Sequence, residues 1–140
     1  MSKPTDLPKY YTGFGDITYD VAMLMKASGQ HLNKKDSVEL YEALIEEEYY
    51  ELIVAIDDKN EPEIFDACLD LIWVITGLML AKNYPIDEGW KEVRRSNLEK
   101  IGEDGKVTVN ADGKVMKPKD WRPPALKELL ESKARFLPYE

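Results

Sequence analysis

The sequence is short of residues on which several kinds of protein depend. It has one cysteine, Cys68, and one histidine, His31, in 140 residues. A single thiol forms no internal disulfide, which suits a reducing compartment. One histidine, outside the expected helices, supplies no Glu-x-x-His pairs, and this excludes a di-iron carboxylate bundle. The longest uncharged apolar stretch, residues 71–81, falls short of the roughly 20 residues of a membrane helix. The opening residues, MSKPTDLPKYY, lack the apolar core of a secretory signal. A cytoplasmic protein with no membrane partner is expected. Positive charge is scarce too: 19 Lys and Arg against 27 Asp and Glu give a net charge of −8. Nucleic-acid polymers select basic surfaces, so none is expected as a partner. A single nucleotide is a different matter, because cations bound to clustered acids would attract its phosphates.

What is present reads as helices. With 44% apolar residues the chain has bulk for one core, and a single domain over residues 1–140 is expected. Residues 1–15, with Pro4, Pro8, Gly13 and Gly15, read as an extended arm. Residues 17–102 read as a helical bundle. Its first helix covers 17–28, with Asp16 as cap, Gly29 as stop and Val21, Ala22, Leu24, Met25 and Ser28 on one face. The second opens on the capping-box pattern Asp36-Ser37-Val38-Glu39 and runs to Asp58. The third opens at Asn60-Glu61-Pro62-Glu63 and runs to Lys82, where Pro85 blocks extension. The fourth covers 87–102. Beyond it, residues 103–140 read as a flap and a helix. Stretches 106–109 and 114–116 flank Asn110-Ala111-Asp112-Gly113 as a short β-hairpin or structured loop. Trp121-Arg122-Pro123-Pro124 is extended, and a last short helix covers 125–135. The expected fold class is all-α, a four-helix bundle with a C-terminal hairpin or loop flap and a final short helix.

Acids gather where positive charge is missing. No Lys or Arg lies between Glu42 and Asp57 or between Glu61 and Ala81. Asp70 nevertheless interrupts the apolar run Ala67-Cys68-Leu69-Asp70-Leu71-Ile72-Trp73-Val74-Ile75, where an unpaired carboxylate is costly. On the helical period Glu48 shares a stripe with Tyr41, Leu44, Ile45, Leu52 and Ala55. Glu47 and Glu51 lie beside it, while Glu42 and Glu46 read as solvated-face charges. On the third helix Glu63, Asp66 and Asp70 share a stripe at i, i+3 and i+7. An antiparallel hairpin about Lys59-Asn60 sets opposite each other residues whose numbers add to about 119. Glu47, Glu48 and Glu51 then fall opposite Ile72, Leu71 and Cys68, with Asp70 in the same layer and Asp66 one turn away. Like charges at i, i+4 destabilise a helix, as in Glu47/Glu51 and Asp66/Asp70. A hard divalent cation held by oxygens alone, Mg²⁺ or Mn²⁺, removes that conflict. Most glutamate-rich runs are merely solvated; Asp70 argues otherwise, since Asp is seldom buried unless paired.

Four ordered motifs resemble the all-α nucleoside triphosphate pyrophosphohydrolases, which include MazG-like proteins, dimeric dUTPases and phosphoribosyl-ATP pyrophosphohydrolases. They are Glu47-Glu48-Tyr49-Tyr50-Glu51, the acidic stretch into Asp70-Leu71-Ile72-Trp73-Val74, the Asn97-Leu98-Glu99-Lys100 helix end, and Asp112-Gly113-Lys114-Val115-Met116-Lys117-Pro118 followed by Trp121-Arg122-Pro123-Pro124. The last is similar to a MazG-like subgroup, and the resemblance covers residues 17–130. It implies Mg²⁺-dependent hydrolysis of nucleoside triphosphates, with deoxynucleotides foremost, to monophosphate and pyrophosphate in nucleotide-pool housekeeping. It implies Glu47, Glu48, Glu51 and Asp70 as metal ligands for two or more ions. The family's Glu-x-x-Asp places a glutamate at Ala67, so Asp66 is expected to replace it, or Glu63 in the other phase. Glu47 or Glu48 would accept the proton of the attacking water. Asn97, Lys100, Lys114 and Lys117, with Arg94 or Arg95, would meet the phosphates. A base pocket is expected near Met23, Leu24 or Met25. Trp73 and Trp90 are expected in the core, and Trp121 is expected to pack the flap down. The resemblance further implies a homodimer or homotetramer. Two alternatives stay open: a phosphoribosyl-ATP pyrophosphohydrolase, and a non-enzymatic metal-stabilised helical module that senses nucleotides or binds a partner.

Overall fold

The structure, a computed structural model, describes residues 14–132. Of the arm expected over residues 1–15, residues 1–13 lie outside the described residues and Phe14 and Gly15 belong to the first helix instead; the end expected for the last helix lies outside the described residues too. Contacts gather the chain into two compact units, divided between Tyr84 and Pro85.

The first unit holds α1 (Phe14–Ala27), α2 (Lys35–Asp57) and α3 (Glu61–Ala81), with α3 packed against both others. Helix α1 buries Thr18, Val21, Ala22 and Met25, the i, i+3, i+4, i+7 set of one helical face. Leu24 and Ser28, expected on that face, are exposed. Asp16 lies inside the first turn and not before it, where its charge still favours the helix dipole. Gly29, at φ +72°, ends α1 as expected.

The capping box expected at Asp36 does not form. Helix α2 starts at Lys35, and its N-cap, Lys34, makes no side-chain cap. Ser37 is buried, and its hydroxyl accepts instead from the His31 N–H at 3.1 Å. Asn60 does cap α3, its Oδ1 accepting from the Glu63 N–H at 3.3 Å with Pro62 in the first turn.

Helices α2 and α3 share the most extensive packing. Tyr41, Ile45, Glu48, Leu52 and Ala55 repeat at steps of four and three on α2. Ala67, Asp70, Val74, Gly77 and Ala81 repeat likewise on α3, a narrow seam of two antiparallel helices. Tyr41 meets Gly77 so closely that a Cβ at Gly77 would run into the ring, which is the register expected from the sequence. The Tyr41 hydroxyl donates to Gln30 Oε1 at 2.6 Å, so burial of the ring leaves its polar end bonded. By length and composition alone α3 is apolar enough to cross a membrane, because Glu63, Asp66 and Asp70 all lie in its first half. Val74, Leu80 and Ala81 of this helix are buried in the core, while Phe65, Leu69, Ile72 and Ile75 are exposed.

The second unit holds α4 (Ile86–Leu98), the loop segment after it and α5 (Leu126–Glu131). Helix α4 ends at Leu98, short of Gly102. There the bonding tightens, with the Lys100 N–H on Asn97 O at 3.2 Å and the Ile101 N–H on Leu98 O at 3.0 Å. The expected hairpin shrinks to a single antiparallel bridge between Val109 and Val115. Its turn is held by Asn110 Oδ1, which accepts from the N–H groups of Asp112 and Lys114 at 2.9 Å each. All of residues 101–120 are exposed, so nothing covers an apolar face there to extend the pairing. The all-α class holds.

The chain returns onto α4 through specific bonds. The Arg95 guanidinium pairs with Glu92 at 3.1 Å and Glu99 at 2.8 Å and donates to Pro123 O at 3.0 Å. Glu92 Oε2 also accepts the Ala125 N–H at 2.8 Å. Arg122 pairs with Glu99 at 3.3 Å, and Trp121 Nε1 donates to Ser96 O at 2.6 Å.

Candidate active site

Helix α2 supplies Glu47, Glu48 and Glu51 and helix α3 supplies Asp66 and Asp70. The heptad-like seam sets Glu48 and Asp70 half-buried between the helices, while Glu47, Glu51 and Asp66 are exposed beside them. One oxygen of Glu48, Oε2, is buried with no hydrogen-bond partner. Burial, followed by the charges of Glu51 and Asp70, pushes the Glu48 carboxyl up to about 7. Burial, followed by the charges of Asp66 and Glu51, raises Asp70 in the same way. Glu51 thus stands beside Glu48, and Asp66 beside Asp70. The cluster is two pairs of neighbouring acids, joined across the helices by the charges of Glu51 and Asp70.

Every charge acting on Glu48 and Asp70 is negative. Hard oxygen donors and a buried orphan oxygen suit a hard divalent cation in kind. As placed, no three His, Cys, Asp or Glu side chains among the described residues close into a ready ligand set. A divalent cation there would offset the mutual repulsion of these acids.

Ala67 is in the buried seam, 4% exposed, and Asp66 beside it reaches Asp70. Glu63 acts on neither Asp70 nor Glu48. It lines a cleft of about 360 Å³ with Tyr50, Glu51, Val54 and Asp58, a groove that opens beside the carboxylates.

Residues 15–97, which carry this whole cluster, match the family model for phosphoribosyl-ATP pyrophosphohydrolase. The chain belongs to that family. The family lies within the all-α NTP pyrophosphatase, or MazG-like, superfamily that the motifs resemble. No curated protein matches the chain. The protein is thus a pyrophosphohydrolase, a hydrolase that acts on a phosphoanhydride bond of a nucleotide. Pyrophosphohydrolases of this type typically use divalent metal ions.

In this pyrophosphohydrolase the second unit carries the residues expected at the phosphates. Asn97 donates to Val93 O at 3.0 Å and accepts from Lys100 Nζ at 3.1 Å. Lys100 Nζ lies 5.4 Å and Lys117 Nζ 4.7 Å from the centre of the Trp121 ring. Asn97, Lys100 and Lys117 are therefore brought together. Lys114 is not among them: its N–H and carbonyl serve the turn at Asn110 and its side chain is exposed. Arg94 is exposed on α4, whereas Arg95 is tied to Glu92 and Glu99. The anchoring role of Arg95 was not legible, because its partners at residues 122–125 lie far along the chain. A signal was there in Glu92 and Glu99, which flank Arg95 at i−3 and i+4.

Other expectations need correction. Trp90 is exposed and Trp73 half-buried, so neither is fully in the core. Met25 is buried in the core while Met23 and Leu24 are exposed, so the three do not line one pocket. Trp121 packs the flap onto α4 as expected.

Proposed function

We propose that this pyrophosphohydrolase cleaves nucleoside triphosphates, deoxynucleotides foremost, to monophosphate and pyrophosphate, and serves nucleotide-pool housekeeping. The observation that carries the reading is the convergence of acids from two helices: Glu47, Glu51 and Asp70 act on Glu48, and Asp66 and Glu51 act on Asp70. Glu47, Glu48, Glu51, Asp66 and Asp70 would hold two or more Mg²⁺ or Mn²⁺ ions. Bound ions neutralise phosphate charge and acidify a coordinated water. The chain's own groups do the rest. Glu48 or Glu47 accepts the proton of the attacking water. Asn97, Lys100 and Lys117, with Lys114 and Arg94, would meet the phosphates of the nucleotide.

A homodimer or homotetramer belongs to this reading. Helices α2 and α3 expose Ile53, Ile56, Phe65, Leu69, Ile72 and Ile75, more apolar surface than a monomer ordinarily leaves in water. The site of action is the cytoplasm, on a small nucleotide and with neither nucleic-acid polymer nor membrane as partner, in keeping with a net charge of −8.

Phosphoribosyl-ATP is the second reading, favoured by the family match over residues 15–97. The residues after 97, including the Lys117–Trp121 segment, fall outside that match and favour the first. Pyrophosphate release measured with Mg²⁺ over a panel of canonical and modified (d)NTPs beside phosphoribosyl-ATP decides between them. Glu48→Gln and Asp70→Asn should each lower turnover by about a hundredfold or more. Turnover that survives both substitutions would refute the site.

A further inference from the structure

We propose that the cleft lined by Tyr50, Val54, Asp58, Asn60 and Glu63 is the base subsite of the nucleotide. Asp58 and Glu63 make it select bases that carry an exocyclic amine (cytosine, adenine, guanine) over uracil and thymine. The proposal deepens the reading above and rests on it for the place of the phosphates at the acids.

One side chain joins the cleft to the acids. Glu51 lines it and also acts on Glu48 and Asp70. From Glu51 the wall follows Val54, Ala55 and Asp58, the i, i+3, i+4, i+7 set of one helical face. Over that span the chain rises roughly 10 Å, about the length of a nucleoside. A nucleotide with its phosphates at the acids therefore has room here for its base, and about 360 Å³ is the volume of a small-molecule pocket. The far end is held by backbone bonds. The Asn60 N–H bonds Ala55 O and the Lys59 N–H bonds Ile56 O, at 3.1 Å each, with Lys59 at φ +53°. These are the two bonds and the left-handed residue of a Schellman turn. Asn60 Oδ1 then accepts the Glu63 N–H at 3.3 Å, so Asp58 before the turn and Glu63 after it are both tied to it.

The lining decides which end of a nucleotide enters. No Lys or Arg lines the cleft, and carboxylates repel phosphate, so the base end is the one that fits. Among the described residues, Asp58 and Glu63 form no ion pair, which leaves both carboxylates to a ligand. Tyr50, 69% exposed, offers a ring on which a base can stack, and Val54 adds apolar surface beside it. A stacked base presents its polar edge, and there the chemistry discriminates. An ionised carboxylate accepts hydrogen bonds and donates none. It takes the amino hydrogens of cytosine, adenine or guanine, as acids do when they read cytosine N4. Against uracil or thymine it faces carbonyl oxygens at the same edge, and the two acceptors repel. Asn60 does not reverse this preference, since its Oδ1 is already engaged by the Glu63 N–H.

The test uses the full chain and two pairs of nucleotides that differ at the amine. Hydrolysis of dCTP and dUTP with Mg²⁺ gives the ratio of their kcat/KM, and calorimetry gives the affinities of dCMP and dUMP. Wild type should favour dCTP by about tenfold or more and bind dCMP more tightly than dUMP by a similar factor. Glu63→Gln and Asp58→Asn each turn a pure acceptor into a group that also donates, and each should bring both ratios toward one. Their loss on dCTP should fall on KM, with kcat held within about twofold. Tyr50→Ala should weaken dCMP and dUMP alike, by about fivefold or more. All three side chains are exposed, and melting curves monitor the fold. Equal binding of dCMP and dUMP by wild type, no binding of dCMP, or ratios unmoved in both acid variants overturns the selection. Unaltered dCMP binding by a folded Tyr50→Ala overturns the stacking surface. A dCMP preference without turnover on any nucleotide sinks the hydrolytic reading alone, and turnover without base preference sinks the subsite alone.

Discussion

Glu48 occupies a seam position that a leucine or alanine would fill in an ordinary helical hairpin, and its behaviour with pH follows from that. Its carboxyl lies at about 7 in the folded chain against an ordinary value of 4.5. Between those values the folded chain holds a proton that the unfolded chain has released. Stability is therefore greatest below the ordinary value and falls as pH rises through 7. In EDTA, the melting temperature of wild type relative to Glu48→Gln should decline across that interval. A difference independent of pH would show that Glu48 titrates as it does in an unfolded chain. Asp66 and Glu63 offer a second comparison at this scale. The charge of Asp66 acts on Asp70, so Asp66→Asn should lower turnover by about tenfold or more, and Glu63→Gln by less than about twofold. The reverse order would move the second acidic motif to the other phase.

Helices meet here through single residues. Gly77 lets the Tyr41 ring lie against the α3 backbone, and a Cβ there has nowhere to go but into that ring. Alanine is the better helix former by roughly 1 kcal/mol, yet overpacking costs about 1–3 kcal/mol, so Gly77→Ala should lower stability in urea denaturation. A stabilised Gly77→Ala would mean that the ring swings aside without loss of its bond to Gln30. Helix register was legible in the sequence for the same reason. The seam residues of α2 and α3 alternate at steps of three and four, and the turn at Lys59-Asn60 fixes which of them meet. Helix ends were less legible. Asp36-Ser37 has the letters of a cap, but Ser37 faces inward and bonds the His31 N–H instead. The hairpin at 106–116 has strand-like letters, but exposed valines without a covering layer form one bridge and no strand.

On the scale of the whole molecule the exposed apolar side chains of α2 and α3 dominate. The proposed homo-oligomer should appear as a mass above 16.1 kDa by light scattering, and Ile72→Glu should shift it toward the monomer. A monomeric wild type with these residues in water would remove the oligomer from the reading. The sequence by itself determined that helices dominate, that α2 and α3 pair in one register, and that Glu48 and Asp70 lie in that pairing. Local periodicity suffices for this, because side chains at helical spacing share a face whatever surrounds them. Only the tertiary structure decided that Arg95 straps the C-terminal chain, and that Lys117 joins Lys100 at Trp121 while Lys114 does not. Those pairings depend on distances between side-chain ends far apart in sequence, which spacing along the chain does not encode.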